Sequence, residues 1–234
     1  MSDLLFSPLV ERAIEIAAEW HDGTYRKGRW RVPCFEARDG GLVRVPTMAH
    51  VTTVALTVQR AGWGPETVAA AFLHDALEDP NRDGTLFRRD ALAALVGETV
   101  TQIVEAVSEP GRPDGRPLPW QVRKDGYLER LADGPPEAAA VALADKLHNA
   151  YAMASSLEAG VDVFTSAPGR RALSAGPAAQ RWFFEAAVTA TEHHDDARLV
   201  PMRARVRSEI ARFVRAAGLD DPSRGESGES TLMV

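Results

Sequence analysis

The sequence predicts an all-α fold, a bundle of helices joined by loops rich in glycine and proline. Apolar residues recur at spacings of three and four, as in Val10, Ile14 and Ala17, which is typical of an amphipathic helix. Proline and glycine mark the ends of most such segments. No segment alternates strongly enough between apolar and polar residues to predict a sheet. With 234 residues, 45% of them hydrophobic, the chain can bury a core without disulfides.

The helices can be placed in chain order from these signals. Ser7 and Pro8 form a capping residue and a first-turn proline, which predict the start of the first helix. The remaining helices are predicted over about 47–61, 64–79, 85–95, 98–108, 119–132, 136–157, 177–194 and 196–217. The segment 23–46 is a predicted long loop, and its 31–45 part could hold a short hairpin around Asp39.

We predict one domain over residues 1–218, followed by a polar, acidic tail over 219–234. The tail has too few apolar residues to pack against a core and is predicted to be disordered. Cys34 is the only cysteine, so neither an intrachain disulfide nor a four-cysteine zinc site can form. The N-terminus does not resemble a secretory signal, and no apolar run is long enough to span a membrane. These features predict a cytoplasmic protein.

The charge balance limits the classes of partner. There are 27 Lys and Arg residues against 33 Asp and Glu residues, a formal net charge of −6. This balance argues against generic binding to nucleic acid or to an anionic membrane. A phosphorylated ligand would therefore need a local basic patch or a metal ion.

The strongest chemical signal is a group of four polar residues at the end of an apolar segment. His74 and Asp75 are followed one turn later by Glu78 and Asp79, inside the helix predicted over 64–79. Burying these groups is costly unless a cation compensates them, and imidazole with carboxylate suits a borderline or hard divalent ion. On a helix, His74 and Glu78 would share one face and Asp75 and Asp79 the adjacent one. The alternative is the polar edge of a surface helix.

Two further segments place isolated polar residues in apolar runs. Asp145 interrupts the segment VALADKLHN, and Asn149 follows it by four residues, on the same helical face. His50 lies in the first turn of another apolar helix, and His21 lies at the end of the first one. Taken singly, each could be a satisfied core residue.

Together these residues resemble the ligand order H…HD…D of the HD-domain metal-dependent phosphohydrolases. HDGTYRK at 21–27 is similar to the HxGQxRK opening of the RelA/SpoT hydrolase domain, AAFLHDALED at 70–79 to its AALLHDxxED, and LADKLHN at 143–149 to its LADRLHN. The resemblance spans about residues 10–195, without a synthetase or regulatory domain. It implies an HD-domain helical bundle and the stand-alone form, a small alarmone hydrolase.

The resemblance also implies roles for individual residues. His50, His74, Asp75 and Asp145 would bind one divalent ion, most often Mn²⁺. Glu78 and Asp79 would position and activate water, while Arg26, Lys27 and Asn149 would contact the nucleotide. Attack would release pyrophosphate from the 3′ position of guanosine tetraphosphate or pentaphosphate. His21 would support the site without binding the metal ion, and no role is predicted for His148.

The sequence departs from this family pattern in several places. The segment between Arg26 and His50 is longer by roughly nine residues. It adds basic and aromatic side chains, namely Arg29, Trp30, Arg31, Arg38 and Arg44. These side chains could bind phosphate, or they could simply belong to an elaborated surface loop. Trp182, Phe183 and Phe184 could line a pocket or simply belong to the core. We interpret the run from His193 to Asp196 as a helix end, because adjacent helical side chains diverge by about 100°.

Two alternatives to the alarmone hydrolase stay open at this stage. One is a phosphatase of another nucleotide, either a nucleoside monophosphate or the 2′-phosphate of NADPH. The other is a non-catalytic nucleotide-binding module that keeps the fold. In each case the partner is a small phosphorylated nucleotide, and the sequence predicts no particular oligomeric state.

Overall fold

The computed structural model describes residues 5–35, 41–110 and 118–220. Over those ranges the all-α prediction is confirmed, with one small antiparallel hairpin added. The elements are α1 Pro8–Trp20, β1 Tyr25–Arg31, β2 Val43–Pro46, α2 Thr47–Arg60, α3 Pro65–Leu73, α4 Arg89–Val96, α5 Glu98–Ala106, α6 Trp120–Asp133, α7 Pro136–Glu158, α8 Pro177–Ala190 and α9 Leu199–Ala216. None of these helices is long and apolar enough to cross a bilayer.

Helix α7 forms the centre of the core. Every residue from Ala138 to Ala144 is buried, and the helix packs against α2, α3, α8, α9 and β1. A helix that is apolar on all faces lies in a protein interior, and its many alanines let neighbouring helices approach closely. Asp145 and Lys146 continue this buried run. Because buried charges need compensation, these two residues mark the place where the core meets a functional site.

Local signals begin and end several helices as expected. The Ser7 hydroxyl accepts a hydrogen bond from the Val10 N–H at 3.3 Å, which caps α1. Gly97 separates α4 from α5 with a φ of +86°, a conformation that residues with a Cβ rarely adopt. This single glycine therefore ends one helix and allows the next to start in a new direction.

The hairpin lies in the segment 23–46, which was predicted as a long loop that could hold a short hairpin within 31–45. Tyr25 pairs with Pro46 and Arg31 pairs with Val43, so β1 starts well before the 31–45 segment. The predicted turn around Asp39 and the side chain of Arg38 lie outside the described residues. Strand β1 has the sequence YRKGRWR, which lacks an apolar alternation, and it forms by pairing with β2 and packing on α7.

One helix boundary corrects the sequence prediction in a way that matters for the site. Helix α3 ends at Leu73 rather than at Asp79, and 74–79 is a series of turns in which the Asp79 N–H donates to the Asp75 carbonyl at 2.8 Å. Pro80 disfavours helical backbone at the residue before it. The shared helical faces that we expected for residues 74–79 are therefore wrong.

Smaller differences concern other helix ends. The helix expected from residue 85 begins at Arg89, and the helix expected to reach 194 ends at Ala190. The remaining bounds agree within two or three residues. Of the predicted tail, residues 221–234 lie outside the described ranges, so its disorder stays a prediction.

Candidate metal centre

Three buried side chains from three helical segments converge on one point. They are His50 in the first turn of α2, His74 just after α3, and Asp145 in α7. One ligand atom of each lies within 4.8 Å of the others. Over the described residues this is the only group of three or more His, Cys, Asp or Glu side chains close enough to hold a metal ion.

The imidazole nitrogens in this cluster face one another. His50 Nε2 lies 3.2 Å from His74 Nε2 and 3.1 Å from Asp145 Oδ1. His74 Nδ1 lies 2.8 Å from the carbonyl oxygen of Ala71. Because that carbonyl can only accept, Nδ1 of His74 carries a proton, and Nε2 is the ring nitrogen that faces the cluster. Metal-binding histidines are oriented in this way by a hydrogen bond on the second nitrogen.

Asp75 completes the set of four predicted ligands. Its Oδ1 lies 3.2 Å from His74 Nε2, and its Oδ2 lies 3.6 Å from His50 Nε2. That Oδ2 atom is buried and has no hydrogen-bond partner among the described residues. A buried carboxylate oxygen without a partner is costly, and a divalent cation between the two imidazoles would compensate it. The donor set therefore fits a divalent metal ion.

The electrostatics of the cluster also favour a cation. Burial, reinforced by Arg26, lowers the pKa of His50 to about 3, so this imidazole is neutral and available as a ligand. Burial would lower the pKa of His74 as well, but Asp75 and Asp145 outweigh it and raise the value to about 9. The carboxylates of Asp75 and Asp145 thus stabilise positive charge at the position where a metal ion would bind.

Glu78 and Asp79 lie beside the cluster in the turns that follow α3. Burial, followed by the charge of Glu109, raises the pKa of Glu78 to about 7. The Glu78 carboxylate accepts a hydrogen bond from the Glu109 N–H at 3.2 Å. Burial and Asp75 raise the pKa of Asp79, and Lys27 Nζ lies 4.0 Å from its carboxylate. Glu78 is therefore poised to accept or release a proton near neutral pH.

Two residues that we predicted as nucleotide contacts lie against the predicted metal ligands. Arg26 donates to the Asn149 side-chain oxygen, and its Nη1 lies 3.7 Å from Asp75 Oδ2. Asn149 in turn donates to Asp145 Oδ1 at 2.6 Å. Such contacts orient metal ligands. Lys27 is the more accessible residue, with 79% of its side chain exposed. A direct role of these three residues in substrate binding stays a prediction.

Sequence reasoning missed the part played by His148. Its Nδ1 lies 2.6 Å from Nδ1 of His50, on the side of that ring away from the cluster. The ring of His148 stacks on Tyr151 with an interplanar angle of 27°. Burial and Arg26 lower the pKa of His148 to about 4, so it is a neutral imidazole. The spacing of three residues from Asp145 was a usable signal, because such pairs are neighbours on a helix.

Other histidines of the sequence analysis lie apart from this cluster. The pair His193 and His194 follows the end of α8. The ring centres lie 3.9 Å apart with an angle of 41° between the planes, and neither residue joins a metal-binding group in the described part of the chain. His21 is buried at the end of α1, where burial lowers its pKa. Its Nε2 has no hydrogen-bond partner among the described residues. Its expected supporting role stays a prediction.

The cluster opens into a cavity of about 230 Å³ whose lining includes both acidic and basic side chains. His74, Asp75, Asp145 and the two neighbouring acids all reach this cavity. Its basic residues come from β1, α6 and α7, namely Arg26, Lys27, Arg123, Lys124 and Lys146. These cations lie among the acids of the same lining, so the cavity offers positive groups beside the candidate metal centre although the chain as a whole is acidic.

The aromatic and inserted residues divide into two groups. Phe183 and Phe184 line the cavity, whereas Trp182 lies outside the lining and faces Trp120 at 6.0 Å. The additional basic side chains of the hairpin are not part of the described lining. Arg44, for example, stacks on Tyr25 at 4.5 Å. Tyr25 itself lines the cavity, so Arg44 lies against the outer side of that wall.

The geometry agrees with comparisons to known proteins. The sequence pattern of the HD domain family matches residues 33–165, more than half of the chain. The chain belongs to the HD domain family. The predicted family and helical fold are confirmed. HD domains bind divalent metal ions, and the buried group of His50, His74 and Asp145 is where this one could hold such an ion.

Individual relatives of this HD domain span a wide range of sizes. A GTP pyrophosphokinase of Streptomyces coelicolor is 27% identical over 145 residues, which cover 62% of this chain but only 14% of that protein. The solved structure of lmo0812 from Listeria monocytogenes EGD-e is 25% identical, with a TM-score of 0.57 over 72% of this chain and 97% of that one. A metazoan ortholog of SpoT that hydrolyzes ppGpp has a TM-score of 0.56 at 21% identity, covering 92% and 98%. The last likeness shows a shared fold.

Proposed function

We propose that this HD domain is a metal-dependent phosphohydrolase that removes pyrophosphate from the 3′ position of guanosine tetraphosphate or pentaphosphate. The observation that carries the proposal is the buried group of His50, His74 and Asp145, with Asp75 beside it. Glu78 and Asp79 line the same cavity, together with five basic side chains. The relatives support the substrate class, because one is a GTP pyrophosphokinase and another hydrolyzes ppGpp. We propose Mn²⁺ as the native ion.

Each residue of the site has its own role in the proposed reaction. A divalent ion held by His50, His74, Asp75 and Asp145 would lower the pKa of a bound water to about 7 and neutralise charge on a phosphoryl oxygen. Glu78, with its pKa near 7, takes the proton of the attacking water. Asn149 and Arg26 hold the carboxylates of Asp145 and Asp75 in place. Lys27 at the exposed edge attracts the anionic substrate.

A panel of nucleotides tests this proposal directly. The purified full chain is incubated with Mn²⁺ and, in parallel reactions, with ppGpp, GMP, AMP and NADPH, and the products are identified by chromatography. We expect GDP and pyrophosphate from ppGpp. Orthophosphate from a monophosphate or from NADPH, with ppGpp left intact, would overturn the proposed substrate and support the alternative phosphatase.

A matched pair of variants separates catalysis by this centre from a contaminating activity. Asp145→Asn removes a metal ligand, while Asp196→Asn changes a carboxylate that pairs with Arg198 on the surface. We expect Asp145→Asn to abolish turnover and Asp196→Asn to retain it. If no nucleotide is turned over by the wild-type chain with Mn²⁺, the non-catalytic module is the better description.

A further inference from the structure

The two carboxylate oxygens of Asp145 have different surroundings. Oδ1 lies 3.1 Å from His50 Nε2 and 3.7 Å from His74 Nε2. The same oxygen accepts a hydrogen bond from the Asn149 side-chain amide at 2.6 Å. Oδ2 accepts a hydrogen bond from Lys146 Nζ at 2.7 Å. Oδ1 is thus the oxygen nearest to both imidazoles of the candidate metal centre, while Oδ2 is held by an ammonium group.

The described part of the chain gives Lys146 a single acidic partner. Asp145 is the only carboxylate among those residues within 4.0 Å of its ammonium group. The Lys146 side chain is only 6% exposed, and its Nζ lies 4.4 Å from the ring centre of Tyr127 and 4.7 Å from that of Phe183. The faces of these rings stabilise an ammonium group but supply no full negative charge. Because a buried charge is costly unless it is paired, the ammonium group stays on Asp145.

This pairing depends on tertiary packing rather than on spacing in the sequence. Asp145 and Lys146 are neighbours in α7, and adjacent side chains on a helix diverge by about 100°. The long stem of Lys146 therefore bends back to reach Oδ2, with Tyr127 of α6 and Phe183 of α8 beside its ammonium group. The three helices together direct this lysine onto a predicted metal ligand.

The contact with Lys146 affects which ion the centre can prefer. It occupies one oxygen of Asp145, and the lysine charge offsets the negative charge of that carboxylate. Ca²⁺ takes about six to eight oxygen ligands, often both oxygens of one carboxylate, and its affinity depends on the number of charged ligands. A transition-metal ion also gains from the two imidazoles and depends less on a second carboxylate oxygen. Lys146 therefore removes what Ca²⁺ would gain most from Asp145.

We propose that Lys146 is a positioning residue that makes Asp145 a one-oxygen ligand and thereby selects Mn²⁺ over Ca²⁺. Lys146 acts through Asp145 and needs no contact with the ion. The inference rests on the metal centre of the proposed function and adds a determinant of ion specificity to it. Without Lys146, Oδ2 would be free to bind the ion together with Oδ1.

The first test compares ion affinities without any nucleotide. Calorimetry measures the Mn²⁺ affinity of the full chain, and competition by Ca²⁺ gives the ratio of the two affinities. We expect Lys146→Met to lower the preference for Mn²⁺ by at least about tenfold, as one additional oxygen contact to Ca²⁺ would give. Lys146→Arg keeps a cation that can donate to Oδ2 and should retain the wild-type ratio. A purely structural role would change the melting temperature of the metal-free chain and leave the ratio unchanged.

Lys124→Met is the matched control for the loss of a positive charge. Lys124 Nζ also lies over Phe183, at 4.2 Å from the ring centre, but it pairs with Glu109 rather than with a predicted ligand. This variant removes a cation from the same cavity and should leave the ratio unchanged. An equal drop in both variants would assign the preference to general charge and overturn the role of Lys146. An unchanged ratio in the folded Lys146→Met protein would overturn it as well.

A second measurement uses the wild-type chain, so it does not depend on whether a variant folds. A crystal structure with Mn²⁺ should show Asp145 bound to the ion through Oδ1 alone, with Lys146 on Oδ2. Binding through both oxygens would overturn the proposal. Turnover of ppGpp is measured separately, and a chain that shows this selectivity but hydrolyses no nucleotide would overturn the proposed function alone. If the wild-type chain binds no Mn²⁺, both proposals fail.

Discussion

Nδ1 of His50 lies 2.6 Å from Nδ1 of His148, so the two rings share one proton between them. A metal ion on His50 Nε2 requires that proton to sit on His50 Nδ1. His148 must then accept with its own Nδ1 and carry its proton on Nε2. The contact therefore determines the tautomers of both rings and orients a metal ligand from outside the cluster.

Replacing His148 should weaken metal binding without removing a ligand. His148→Phe keeps an aromatic ring beside Tyr151 but has no acceptor for His50, and we expect about 10- to 100-fold weaker Mn²⁺ affinity. His148→Gln retains an acceptor and should fall between this variant and the wild type. Competition with a chelator measures the affinities. Equal Mn²⁺ affinity in all three proteins would show that the contact does not support the ligand.

The metal ion should stabilise the fold through the buried cluster. A ligand that binds only the folded state adds about 2.7 kcal/mol at a concentration 100 times its Kd. We expect Mn²⁺ to raise the melting temperature of the wild-type chain and EDTA to reverse the increase. Asp145→Asn should melt at the same temperature with or without Mn²⁺, while Asp196→Asn should respond like the wild type. A full Mn²⁺ response in Asp145→Asn would place the ion elsewhere.

Ionisation of Glu78 should lower the free energy of unfolding as the pH rises. Its pKa is raised from 4.5 in an unperturbed chain to about 7 in the fold, so the native state binds more protons than the unfolded state between these values. Because stability falls with pH wherever the native state holds more protons, this contribution is lost between about pH 4.5 and 7.

Glu78→Gln should therefore be more stable than the wild type at pH 8, by about 3 kcal/mol, and equally stable near pH 4. Its turnover should fall by about 10²- to 10⁴-fold, as expected for a lost general base. Urea unfolding at several pH values measures the first effect. A stability difference that does not change with pH would contradict the assignment of this titration to Glu78.

Gly97 should be required for its backbone conformation alone. Its φ is +86°, and an added Cβ would meet nothing within 4 Å, so Gly97→Ala introduces backbone strain without a clash. We expect a loss of about 1–2 kcal/mol in the free energy of unfolding. Gly176→Ala is the matched control, because Gly176 also has open space but a φ of −70°. Its cost should be a few tenths of a kcal/mol. Equal costs in the two variants would refute the strain argument.

The helical fold could be predicted because its signals are local. Ser7 caps α1, prolines stand in the first turns of α1, α3, α7 and α8, and the apolar run of α7 is continuous. The four predicted metal ligands converge because the polar residues interrupt apolar segments that pack together. Strand β1 could not be predicted, since its residues are mostly polar and its pairing partner lies twelve or more residues away in the chain.

The sequence by itself determined the helices, the family and the identity of the side chains that form the candidate metal centre, because these depend on residue type and short spacing. Only the tertiary structure decided how those side chains meet. His74 and Asp75 are neighbours whose side chains would diverge on a helix, and they converge because α3 ends at Leu73. Likewise, His148 contacts His50, and Lys124 joins Lys146 around Phe183, across 98 and 22 positions of the chain. Contacts of this kind depend on how separate elements pack, and no local pattern encodes them.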